Sequence, residues 1–548
     1  MKGTGMLFRF AAVAASAVFS LSCCNDGVKP VKNVILMIPD GNSTSLLSVV
    51  RWYREYTDPQ NGNASLAIDP YLCGMVREQC SDSPVPESSA AISAYMTGQF
   101  VQGPNICVYP AAHPGQDIVS INPDSTWQPL ATVMEGAKIL KDKALGLVVT
   151  VKASHATPAG TTAHSVSRND NRTIIRQIAS NRVDVVFGGG LRYLDDEVKE
   201  ILADNSIDVI EKDMDAFRAY DGEKVWALFT KGDMAYDCDR DTTAEPSLEE
   251  MTRKALKLLS KKRNGFFLMV EGSKIDYAAH GNDVGGLISE FDAFDKAVAA
   301  ALDFARKDGN TTVIVVPDHG TSGVSMGDRR YTEYVKKGLD SIFVNVSGLN
   351  VSAAVMETRL RECAIADIPH VFKECTGMDL TPAELSCLVN AKDDVETNYM
   401  NINYSYNLQA EINRIIASHT HIGYVSGGHT AEDLFLAVYN PNGQCPTGLL
   451  RATELTDYMA AVAGLPISLK ELTSRIFVRH DVLLEGRDYV VEGKDDKAVL
   501  NIGEGRLLVP ANRSYVIRDG EKLPLASVSV YIKETGNFFI SKEILDYL

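Results

Sequence analysis

Four stretches of this chain are apolar with no polar alternation, and each ends abruptly in side chains able to hold a cation. They are NVILMIPDG (33–41), LGLVVTVKASHAT (145–157), GFFLMVEGSKIDYAAH (265–280) and TTVIVVPDHG (311–320). A strand that alternates has one wet face; one that does not is buried on both, the condition of a parallel sheet covered by helices. Such sheets place their sites outside the carboxyl ends of their strands. Delivered there are Asp40; His155 and Thr157; Glu271, Asp276 and His280; and Asp318 with His319. Asp276 and His280 are four apart, so a helix after the third run puts a carboxylate and an imidazole on one face.

From Asn33 to about Asp328 such runs alternate with amphipathic stretches, which predicts an α/β fold with a mostly parallel central sheet flanked by helices. VDVVFGGGLRY (183–193) adds a strand closed by three glycines, read as a tight turn because no Lys-Ser or Lys-Thr follows. From 331 to 420 the pattern becomes helical: Thr381-Pro382 suits a helix start, and Leu408, Ile412, Ile415 and Ile416 form one apolar face. GGHTAEDLFLAVYNP (427–441) sets His429 before another apolar strand, and Leu450 to Leu465 reads as a closing helix. Beyond that, DYVVEG, RLLVPAN, SYVIRDG and SVSVYIK are short β segments separated by turn residues. The expected layout is a core of 24–330 with 421–466, a helical insertion at 331–420 and an accessory β domain at 467–548.

A length of 548 residues exceeds one ordinary core, in keeping with that division. The formal net charge of -17 argues against a nucleic-acid or anionic-membrane surface, since either needs a basic face. An anionic substrate therefore needs local positive charge, which bound divalent cations supply. Lys2 and Arg9 precede the apolar stretch Phe10 to Leu21 and then Ser22, Cys23 and Cys24. This is an export signal, residues 1–23, too short to span a membrane as a mature helix. Its LSCC ending resembles a bacterial lipoprotein signal, lipidated at Cys23 or Cys24; an ordinary cleaved signal is the alternative. The expected location is the periplasm or outer membrane, with membrane contact only through that anchor. Eight further cysteines stand at 73, 80, 107, 238, 363, 375, 387 and 445, without a CxxC pair. Export permits disulfides, whose pairing the spacing leaves open.

VPESSAAISAYMTG (85–98) puts Pro86 and Glu87 at a helix start, with Ser88 and Ser89 at the positive end of its dipole, which favours an alkoxide or a bound phosphate. HATPAGTTAHSVSR (155–168) ends in Arg168, whose planar fork suits two phosphoryl oxygens.

Together these residues resemble the alkaline phosphatase family over most of 33–466. The family's nucleophile pattern, VxDSAxxATAxxxG, aligns without a gap to VPESSAAISAYMTG and puts the nucleophile at Ser88; sliding to Ser89 requires a deletion. The resemblance implies a first zinc site of Asp276, His280 and His429, and a second of Asp40, Asp318 and His319. It implies a third, usually magnesium, of Asp40, Thr157 and Glu271. Arg168 matches the phosphate clamp. Two zinc ions about 4 Å apart stabilise the attacking and departing oxygens of an in-line displacement. The implied course is a phosphoserine at Ser88, then its hydrolysis, on small phosphomonoesters; a homodimer is among the expectations.

The chain also departs from the family. Glu87, beside the clamp, stands where Asp is usual; Pro39 and Pro317 precede metal-binding aspartates; His155 and Tyr277 occupy variable places. A histidine at 155 weakens the magnesium preference of the third site or admits zinc. A phosphodiesterase keeps the two-metal ligands but commonly lacks the arginine clamp, and a sulfatase wants Pro and Arg after its nucleophile, where this chain reads SAAIS. A surface binding protein on the same scaffold is the reading from another class, set against the intact ligand set.

Overall fold

The computed structural model describes residues 27–60, 64–328, 336, 338–393, 408–503 and 505–548. The export signal, with Cys23 and Cys24, lies outside the described residues. The central sheet has ten strands: β1 Asn33–Pro39, β2 Leu72–Arg77, β3 Ala144–Lys152, β4 Val185–Gly189, β5 Asp208–Glu211, β6 Val225–Leu228, β7 Phe266–Gly272, β8 Thr311–Val315, β9 Leu434–Tyr439 and β10 Gly448–Arg451. Their order is β10-β2-β9-β8-β1-β7-β3-β4-β6-β5. Every pairing is parallel except those of β9, which runs antiparallel to β2 and β8.

The unbroken apolar runs have the expected cause. Ile35 and Met37 of β1, with Phe266, Leu268 and Val270 of β7, enter one core. Val34, Leu36 and Ile38, with Phe267 and Met269, enter the other. Helices Leu46–Thr57, Leu248–Leu259 and Val284–Asp308 cover the first face; Ser88–Thr97, Val133–Lys141, Asn171–Ser180 and Ala452–Ala463 cover the second. The result is the three-layer α/β sandwich expected from the patterning.

Helices Leu339–Phe343, Ala353–Glu362, Ile368–Thr376, Pro382–Ala391 and Leu408–Thr420 extend the first core through Phe343, Met356, Phe372 and Ile412. Thr381 caps the fourth of them in a reciprocal capping box with Glu384, and Pro382 opens its first turn. At the C-terminus, β11 Tyr489–Glu492, β12 Val499–Ile502, β13 Leu507–Pro510, β14 Tyr515–Arg518 and β15 Glu521–Pro524 form an antiparallel meander. It has its own core around Leu500, Leu507, Val516 and Phe538. Leu472, Phe477, Val530, Ile532 and Phe539 nevertheless bury in the second core of the main sheet, so this segment is fused to the sandwich. The eight described cysteines carry free thiols. No described helix is long and apolar enough to cross a membrane.

Candidate metal and phosphate site

The four strands singled out by their endings are neighbours, in the order β8-β1-β7-β3, so their carboxyl ends form one continuous rim. His429 reaches the same rim from the opposite chain direction. Because β9 is antiparallel, its amino end lies where the other strands have their carboxyl ends, and a residue preceding it joins those that follow them.

The turn after β1 brings Asp40 to the centre. Gly41 follows at φ +67, and a Cβ there would lie 2.4 Å from Asp276 Oδ1, so only glycine permits this approach. The Gly41 and His319 N–H groups donate to Asp318 Oδ1 at 3.0 and 2.9 Å, which turns Oδ2 inward. Asp276 lies in the first turn of helix Lys274–His280, with its Oδ2 3.4 Å from His280 Nε2 one turn on. Thr321 Oγ1 donates to Asp276 Oδ1 at 2.8 Å and lies 3.2 Å from His319 Nδ1.

Two imidazoles are turned with the same logic. His280 Nδ1 meets the Gly427 carbonyl at 2.7 Å and His429 Nδ1 meets the Pro86 carbonyl at 2.8 Å. A carbonyl only accepts, so both Nδ1 atoms carry protons and both Nε2 atoms present lone pairs. Those two Nε2 atoms face each other at 3.1 Å. Two facing lone pairs suit a cation between them.

Three groups of ligand atoms, each within 4.8 Å of one another, emerge: Asp276, His280 and His429; Asp40, Asp276 and His319; and Asp40, His155 and Glu271. His319 Nε2 lies 3.2 Å from Asp318 Oδ2 and 3.6 Å from Asp40 Oδ1, which places Asp318 against the second group. Both oxygens of Asp40 and of Glu271, Asp318 Oδ2, Thr157 Oγ1 and His155 Nδ1 are buried with no hydrogen-bond partner of normal geometry. Native interiors seldom leave such groups unsatisfied, and here seven converge. The six oxygens among them, with the Nε2 lone pairs of His280 and His429, form a donor set that fits divalent cations.

Electrostatics point the same way. Burial, reinforced by the charges of Asp318, Asp276 and Glu271, pushes Asp40 well above the usual carboxylate range. Burial likewise raises Glu271 and Asp318 to about 7 each. Burial also pushes on Asp276, but His280, His319 and His429 outweigh it and bring that group to about 2. Burial lowers His155 to about 4, and Lys152 adds to the effect. Carboxylates that resist ionisation alone become stable anions once a cation stands among them.

Beside the cluster, Ser88 opens helix Ser88–Thr97, and its Oγ lies 3.1 Å from His319 Nε2. The Ser89 hydroxyl instead donates to Glu87. Glu87 is the N-cap, accepting from the Ser89 and Ala90 N–H groups at 2.9 and 3.4 Å, while its other oxygen pairs with Arg168. The second terminal nitrogen of Arg168 donates to His155 Nε2 at 3.2 Å. Tyr277 stands edge-on to His155, ring centroids 6.1 Å apart, and donates its hydroxyl to Asp233 Oδ2 at 3.1 Å.

The candidate site residues expected from the sequence therefore lie together on one rim. Sequence reasoning missed Thr321 and Asp233. Thr321 sits three residues beyond Asp318, within reach of notice; Asp233 lies five residues beyond β6, whose short apolar run was passed over.

A family model described as alkaline phosphatase matches residues 31–465. Alkaline phosphatase 3 of Bacillus subtilis is 31% identical over 442 residues, covering 78% of this chain and 87% of that protein. The cold-active alkaline phosphatase from a psychrophilic Shewanella superposes with a TM-score of 0.67 at 25% identity, covering 78% of this chain and 99% of that one. The Thermus thermophilus alkaline phosphatase superposes with a TM-score of 0.68 at 23% identity, covering 84% and 100%. With its sheet, its ligand-rich rim and a family match over most of its length, the chain belongs to the alkaline phosphatase family.

Proposed function

We propose that this enzyme hydrolyses phosphate monoesters through a phosphoserine at Ser88. Asp276, His280 and His429 would hold one zinc, Asp40, Asp318 and His319 a second, and Asp40, Thr157 and Glu271 a third ion. With His155 beside it, that third ion is magnesium or zinc. When bound, these ions supply positive charge to the oxygens of an in-line displacement and acidify serine and water hydroxyls.

The chain's own groups do the rest. Arg168 takes two phosphoryl oxygens and orients the substrate, with Glu87 and His155 fixing its plane. Ser88 Oγ attacks phosphorus as the alcohol leaves, with the positive end of its helix favouring the alkoxide. Water then cleaves the phosphoserine, and phosphate departs from the clamp. The observation that carries this reading is the Ser88 hydroxyl 3.1 Å from His319 Nε2, beside an arginine already held in plane.

The proposal extends to an exported enzyme, from the charged and apolar leader, anchored at Cys23 or Cys24, and to a homodimer by family resemblance. Its layout is a catalytic core of 24–330 and 421–466, an insertion at 331–420 and an accessory unit at 467–548.

The test compares an aryl phosphate, its diester and its sulfate on holoenzyme and on Ser88→Ala. The expected result is monoester preference and a loss in the variant of about a thousandfold or more. A variant as fast as the parent would overturn the mechanism, and a diester preference would overturn the substrate class.

A further inference from the structure

The family match ends at residue 465, yet the segment beyond it reaches the helix that follows the phosphate clamp. Arg168 stands three residues before helix Asn171–Ser180. One face of that helix, Ile174, Ile175, Ile178 and Ala179, packs into the second core. Positions 173, 176, 177 and 180 form the other face at helical spacing, and all four meet the C-terminal unit through polar contacts.

Thr173 Oγ1 donates to Asp496 Oδ1 at 2.7 Å, and Arg176 pairs with the same carboxylate. The Gln177 amide, wholly buried, donates to Asn512 Oδ1 at 2.9 Å, and its oxygen accepts from the His164 N–H at 2.6 Å. Ser180 Oγ donates to the Asn512 carbonyl at 2.9 Å, and Ser514 Oγ donates to the Ser180 carbonyl at 2.6 Å. At the head of the helix, Asp170 accepts from the Thr173 N–H at 3.3 Å with one oxygen and meets Lys533 Nζ at 3.5 Å with the other.

Apolar packing tolerates small slides of a helix along its axis, whereas directional hydrogen bonds at four positions of one face define one axial setting. That setting determines where the chain enters the helix, and hence where Arg168 stands relative to Ser88. We infer that the C-terminal unit is a positioning element for the Arg168 clamp, acting through helix Asn171–Ser180, with Asp496 and Lys533 as its key side chains. The inference rests on the phosphatase reading above.

The test uses full-length holoenzyme and four variants. Asp496→Ala removes the Thr173 and Arg176 contacts, and Asp496→Asn keeps an acceptor for Thr173. Lys533→Ala releases Asp170 from a half-exposed residue and leaves the unit seated. Lys522→Ala is the control, because Lys522 ties the same unit to Asp204 at 2.6 Å on a different helix. In Asp496→Ala and Lys533→Ala, KM for an aryl phosphate and the inhibition constant of inorganic phosphate should rise together by about 3- to 10-fold. In both, kcat should change less than twofold; Asp496→Asn should be intermediate and Lys522→Ala unchanged.

Unaltered constants in both Asp496→Ala and Lys533→Ala, whatever their unfolding temperatures, would overturn the inference, as would an equal rise in Lys522→Ala. A parent without phosphatase activity would count against the proposed function instead. Phosphate binding by calorimetry would then still read the clamp.

Discussion

Glu87 serves two elements at once, capping the Ser88 helix with one oxygen and holding Arg168 with the other. Glu87→Ala should therefore show two separable effects. The lost cap should lower stability by about 1 kcal/mol, while the freed arginine should raise KM for monoesters by about tenfold with a smaller fall in kcat. Denaturant midpoints and steady-state kinetics measure the two, and an unchanged KM would refute the clamp geometry. Away from the rim, burial lifts Glu290 from its ordinary 4.5 to about 7, against the pull of Lys274. A carboxyl raised in the folded state binds its proton more tightly there than when unfolded. Its ionisation therefore destabilises the fold progressively as pH rises from about 4.5 to 7. Glu290→Gln has no such loss, so its advantage over the parent should grow across that window to about 1–3 kcal/mol and stay level above pH 8. A constant difference between pH 5 and pH 8 in urea titrations would contradict this. Glu87 was legible in the sequence because it flanks a helix-start pattern. Glu290 was not, because one acidic residue inside a long amphipathic helix looks like any solvated one.

The turn between β1 and the rim is where backbone conformation decides chemistry. Gly41 combines a positive φ with backbone 2.7 Å from where a Cβ would stand, at Asp276 Cα. Gly41→Ala should push helix Lys274–His280 outward and separate Asp276 from the candidate ligands that follow β1 and β8. The expected outcome is a folded protein, by circular dichroism, that retains clearly less zinc after dialysis than the parent. Equal zinc content would show that the helix has room to yield. Strand endings could be read from sequence because burial on both faces leaves a strong local mark. Strand order could not, since the placing of β7 between β1 and β3 depends on crossovers whose direction no local pattern records. The same gap hid why His429 precedes its strand while the other candidate ligands follow theirs, until β9 proved antiparallel.

At the scale of the molecule, a chain of net charge -17 concentrates four of its carboxylates, Asp40, Glu271, Asp276 and Asp318, in one buried cluster. Such burial is tolerable only with compensating charge, so the rim should be a source of stability when cations are present and of instability when they are not. The C-terminal unit adds to stability by a different route, through polar contacts on one face of helix Asn171–Ser180. Asp496 lies between two short β segments and Asn512 closes the second, so neither marks its partner on that helix in sequence. Removing metal should therefore weaken the sandwich while leaving the meander's separate core intact. An ion held at a hundred times its dissociation constant contributes about 2.7 kcal/mol per site. Calorimetry of chelated protein should show a lower unfolding temperature that zinc restores, and Ser88→Ala should show the same recovery, because Ser88 is no part of the buried anionic cluster. If the chelated protein melted at the parent's temperature, the seven unsatisfied rim atoms would have to be compensated from within the chain, and the cation reading of the rim would fail with them.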